Sequence, residues 1–97
     1  MGNVRIRFFI DRETGEPHIL NHGINEDEVE EVFRSGSSED RLGFGETRML
    51  LGTTEAGRHL RVIYVPDPQP ASVFVITAYE LTGNPLAAFR RRQRRRS

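Results

Sequence analysis

The sequence predicts a small α+β domain, and three observations carry that prediction. A run of branched and aromatic residues near the start reads as a strand, and a capped acidic stretch after it reads as a helix. Three further strand-like runs then follow one another with only short connections. Strands joined that way pair antiparallel, so the expectation is an antiparallel sheet with N-terminal helices on one face, not a doubly wound parallel sheet.

Residues 4–10, VRIRFFI, alternate over their first half and form the first strand. DRETGEP follows as a turn punctuated by Gly15 and Pro17. HILNH, residues 18–22, makes one or two helical turns that Gly23 closes, since glycine adopts the left-handed conformation helices end on. Asn25 caps the next helix, with Glu28 three residues on in capping-box position and Glu26 and Asp27 near the positive helix end. Within it Val29, Val32 and Phe33 form an apolar stripe at helical spacing. RSGSSEDRLGFGE reads as loop. TRMLLGTT, RHLRVIYV and VFVITAYEL are the three later strands, and the last two are apolar enough to be central. LAAFRRRQRRRS begins as a helix, and repulsion between its arginines is expected to fray its end.

Composition narrows the function classes. With 97 residues, 36% of them hydrophobic, the chain is expected to form one domain with a modest core. No apolar run approaches the roughly 20 residues that span a bilayer, and no secretory leader is recognisable, so a cytosolic protein without a membrane partner is expected. Cysteine is absent, which excludes disulfides and thiolate chemistry. Charge divides the chain in two. Residues 1–89 hold eight arginines against 14 acids, a net −6, while residues 90–97 hold six arginines. We therefore expect a domain over residues 1–89 and an arginine-rich tail over residues 90–97. Every cation is arginine, whose planar fork suits phosphate. The tail reads as an electrostatic foot for nucleic acid or an acidic partner.

His18 and His22 stand four apart and could share a zinc on one helical face, as in His-Glu-x-x-His. The glutamate of that motif is missing, Ile19 taking its place, and spacing offers no third ligand. No metal and no cofactor are expected. Imidazoles at a helix end also meet the negative end of its dipole, and one of them could carry a proton near neutral pH.

Alternation in RHLRVIYV puts Leu60, Val62 and Tyr64 on one face and His59, Arg61, Ile63 and Val65 on the other. In the last strand it groups Phe74, Ile76 and Ala78 against Val75, Thr77 and Tyr79. If the larger apolar sets face the helices, His59, Arg61, Thr77 and Tyr79 look out from an open face, with Arg48 beginning the neighbouring strand and Arg58 that of His59 and Arg61. Such a face could hold RNA: arginine on the phosphate, histidine or tyrosine passing a proton, rings on the bases. A solvated face with incidental charges has the same pattern.

The pattern His-x-x-x-His-Gly-Ile-x-x-x-Glu-Val-x-x-Val-Phe from His18, then Gly57-Arg58-x-Leu60-x-Val62-x-Tyr64-Val65-Pro66 and Val75-Ile76-Thr77-Ala78-Tyr79, resembles the BrnT-like toxin group of the RelE superfamily and its relatives of unknown function. The resemblance implies a RelE-like fold, metal-independent cleavage of mRNA and a cognate antitoxin. Where that group has lysine before His-Gly, this chain has Asn21; where its last strand ends Ser-Ala-Arg, this chain reads Thr77-Ala78-Tyr79-Glu80, the tyrosine form of those relatives. The expected function is thus a ribonuclease toxin of a type II toxin–antitoxin pair. Arg61, His59, His22 and Tyr79 would be catalytic, and Arg48, Arg58, Arg90, Arg91, Arg92, Arg94, Arg95 and Arg96 would bind RNA. The alternative is a non-catalytic RNA- or protein-binding module of the same fold, motivated by Glu80 and the acidic body.

Overall fold

The computed structural model describes residues 4–96, with side chains through Arg95. The elements run β1 (Arg5–Phe8), a 3-10 helix (His18–His22), α1 (Glu26–Arg34), β2 (Glu39–Leu42), β3 (Arg48–Thr53), β4 (His59–Pro66), β5 (Ser72–Glu80) and α2 (Gly83–Arg96). They build a five-stranded sheet in the order β1-β5-β4-β3-β2. The class is α+β, as expected. From β2 to β5 the chain is an antiparallel meander, and β1 lies parallel to β5 at the opposite edge.

Local signals set the helical segments. Gly23 ends the 3-10 helix at φ 74°, and its N–H and that of Ile24 return to the carbonyls of Leu20 and Ile19. Asn25 accepts the Glu28 N–H at 2.9 Å while the Glu28 carboxylate accepts the Asn25 N–H at 3.1 Å, a complete capping box. Val29 and Val32 are fully buried. Phe33 is only half-buried, lying edge-on to Tyr64 at 5.1 Å between ring centroids. The core joins Ile19, Ile24 and the α1 stripe to the inner sheet face, which supplies Leu50, Leu60, Val62, Tyr64, Val73, Val75 and Ala78. Gly52 lets α1 approach β3: a Cβ there would lie 2.8 Å from Val32 Cγ1.

Three expectations need correction. Residues 39–42, read as loop, form β2. Their charged sequence Glu-Asp-Arg-Leu carries no apolar alternation, because an edge strand takes its hydrogen bonds from β3 and faces water. In β5, strict alternation fails at a bulge. Tyr64 pairs with Val75 and Ile63 with Thr77, so Ile76 is the extra residue. Val75 therefore joins Ala78 on the inner face, and Phe74 turns outward beneath Arg7. The outer face is also not open. α2 lies over its β2–β3 side, where Phe89 and Leu86 pack against Leu51 and Leu81. The arginine block continues that helix through Arg96, anchored at its middle by Arg92 on Glu39 (2.9 Å) and Gln93 on the Ser37 carbonyl. Among the described residues no helix is long and apolar enough to cross a membrane.

Candidate functional site

Cross-strand pairing sets Arg61 of β4 between Leu51 of β3 and Tyr79 of β5 on the outer face. The Arg61 Nη1 donates to the Tyr79 hydroxyl at 3.2 Å, and the guanidinium carbon stands 5.6 Å from the centroid of the same ring. The bulge leaves Tyr79 and Thr77 outward despite the inward turn of Val75. Arg61 Nε and Thr77 Oγ1 are both buried without a hydrogen-bond partner. Arg61 differs in its surroundings from six other arginines. Arg7, Arg34, Arg41, Arg48, Arg58 and Arg92 all sit in ion pairs. Among the described residues no carboxylate lies within ion-pair distance of half-buried Arg61. A shallow pocket of about 90 Å³ opens beside it, lined by Arg61, Tyr79, Glu80, Leu81, Thr82 and Pro85.

His22 reaches this place from another element. β1 ends at Phe8, opposite Val75, so the rest of β5 has no strand on that side and the 3-10 helix packs there instead. Ile19 plugs the core. The His22 ring comes within 6.1 Å of the Tyr79 ring, and His18 stands 5.2 Å from His22. His18 Nδ1 is 3.3 Å from Asp11 Oδ2, and the Asn21 amide donates to the same oxygen at 2.9 Å. The Glu13 backbone N–H, then the Asn21 amide, hold the Asp11 carboxyl below its usual range. Asp11 was legible only as part of a turn, since nothing local joins it to histidines seven and more residues on.

The other expected residues are dispersed. His59 shares the outer face but lies under α2, 5.7 Å from the Phe89 ring, with Nδ1 2.9 Å from Thr53 Oγ1. Burial, and then the charge of Arg90, lowers its pKa, while Glu80 opposes them. Arg48 does not face outward. It pairs opposite Tyr64 and binds Asp40 at 3.0 Å; Asp40 also accepts the Tyr64 hydroxyl at 2.8 Å. Burial, reinforced by that bond, pushes the Tyr64 phenol up to about 12. Arg58 is a brace. Its Nη1 binds Glu28 at 2.8 Å and the Gly23 carbonyl at 3.1 Å, and its Nη2 reaches Glu80 at 3.3 Å. Arg58 is shared between two carboxylates, and Glu80, with its side chain 53% exposed, is the more weakly held of them. Arg90, Arg91, Arg94 and Arg95 are exposed on α2, Arg92 is taken by Glu39, and the side chain of Arg96 lies outside the described residues. Among the described residues no three His, Cys, Asp or Glu side chains are grouped to hold a metal ion.

Compared with known proteins, residues 18–80 match a family model described as a domain of unknown function, DUF4258. No curated protein and no solved structure matches the chain. The family match spans the 3-10 helix, α1 and β2 to β5, and so includes His22, Arg61 and Tyr79.

Proposed function

Since this chain belongs to the DUF4258 family, whose description leaves the activity open, we propose one from its own residues: a metal-independent endoribonuclease, the reading that the BrnT-like resemblance also implies. Arg61 carries it. Withdrawing a guanidinium from water without a carboxylate is costly, and an anion bound beside it relieves that cost. Its clamp on Tyr79 fixes the fork, so little freedom is lost when a phosphate binds.

The chemistry follows from the neighbours. The ribose 2′-hydroxyl attacks the adjacent phosphorus as the bond to the 5′ oxygen breaks, leaving a 2′,3′-cyclic phosphate and a 5′-hydroxyl. His22 takes the 2′-hydroxyl proton. Tyr79 accepts from Arg61 and keeps its own O–H to give to the departing oxygen. Arg61 stabilises the charge that develops on the phosphoryl oxygens. His59, enclosed by α2, supports the face and does not reach the phosphate. In the toxin–antitoxin reading a cognate antitoxin covers the domain, and the β2–β3 hairpin, with Leu42 78% and Phe44 96% exposed, is an apolar surface suited to it.

The test is cleavage of end-labelled RNA in the presence of a chelator, together with growth on overexpression. Arg61→Ala should lower the cleavage rate by roughly 10²–10³ and relieve growth inhibition, without loss of fold. RNA left intact by excess wild-type protein, with growth unaffected, would sink the ribonuclease reading. A second reading, a non-catalytic RNA- or protein-binding module, is favoured by Glu80 on the rim of the pocket beside Arg61. Binding without cleavage would establish it.

A further inference from the structure

Four rings form a row along the sheet edge that ends at Arg61. Phe9 lies 6.1 Å from His18, His18 lies 5.2 Å from His22, and His22 lies 6.1 Å from Tyr79, measured between centroids. Neighbouring planes meet at 62°, 73° and 58°, edge-on in the first two pairs and tilted in the third, so no pair consumes two faces on each other. The outer end is open: Phe9 is 43% exposed, and His22 is exposed too. A core function does not explain this row, because Phe9 belongs to neither buried cluster.

Resting on the RNA reading above, we propose that the row is a stacking track for unpaired bases, which makes single-stranded RNA the substrate class and places the scissile phosphate at its Arg61 end. Ring faces bind bases only when those bases are not paired, since a duplex offers its phosphates and hydroxyls and hides its π faces. Ring spacings of 5–6 Å exceed the ~3.4 Å rise between stacked bases of one strand, so bases that engage successive rings are unstacked from each other. Such a strand runs from Phe9 towards Tyr79, where its backbone meets Arg61. Stacking by Phe9 adds affinity without neutralising a phosphate, and that separates it from the arginines of α2.

The experiment is fluorescence anisotropy with a short labelled 2′-O-methyl RNA, which cannot be cleaved by its own 2′ oxygen, as a single strand and annealed to its complement. The single strand should bind more tightly than the duplex. Phe9→Ala should weaken it roughly tenfold, with an unchanged slope of log K against log salt, and Phe9→Tyr should restore it. Equal binding of both forms, or an Ala variant that binds like wild type, overturns the stacking track while leaving the RNA reading standing. If wild-type protein binds neither form, the RNA reading falls, and the track falls with it.

Discussion

Replacing Arg58 by alanine separates a structural arginine from a binding one. Its guanidinium joins three places far apart in sequence: the capping-box carboxylate of Glu28, the Gly23 carbonyl that ends the 3-10 helix, and Glu80 at the end of β5. Removal strands the Glu28 carboxylate, whose side chain is 13% exposed, and frees a helix-end carbonyl. A hydrogen bond to a charged group contributes about 1.5–3 kcal/mol when shielded. The Arg58 side chain is itself 33% exposed and its Glu80 partner 53%, so water screens part of this and the Glu80 bond adds little. The expected cost is about 1–2 kcal/mol, which for a domain of this size lowers the melting temperature by roughly 5–15 °C. Thermal unfolding followed by circular dichroism measures it, with anisotropy against single-stranded RNA as the second readout. Arg58→Lys should recover only part of the loss, because an ammonium cannot fork between Glu28 and Glu80. An unmoved melting temperature combined with collapsed RNA affinity would refute the reasoning and return Arg58 to the binding surface.

Gly52→Ala should destabilise by about 1–3 kcal/mol, since the new methyl meets the Ser38 hydroxyl and Val32 where α1 packs on β3; a denaturant midpoint equal to wild type would show that both yield freely. His59 has a lowered pKa in the folded state, so its contribution is intact above the unfolded imidazole value of about 6.5 and is lost as pH falls below it. His59→Gln should flatten that acid limb in melting temperatures measured from neutral pH to pH ~5. Substituting exposed Arg90, Arg91 and Arg95 with glutamine should make RNA binding less sensitive to salt. The slope of log K against log salt should shrink by about 0.7 for each phosphate no longer neutralised, without the unfolding that deletion of the Arg92–Gln93 anchor invites. An unchanged slope would place the phosphate-binding groups on the sheet.

What the sequence determined alone lies within a few residues of itself. The Gly23 helix end, the Asn25–Glu28 capping box and the facing of β4 follow from hydrogen bonds between near neighbours and from the two-residue period of a strand. The α+β class follows from their order. The rest needed partners distant along the chain. Glu39–Leu42 is a strand only because β3 offers its backbone. The Ile76 bulge exists because β4 and β5 must keep Val75 and Ala78 in one core three residues apart. Which arginines are held in ion pairs was equally hidden, because Arg48, Arg58 and Arg61 are chemically identical. Asp40, Glu28 and Glu80 lie 8, 30 and 22 residues from the arginines they hold. Folding brings those acids to Arg48 and Arg58, and it brings Tyr79 and His22 to the neighbourhood of Arg61. An ion pair is decided by distance in space, and alternation along a strand carries only direction.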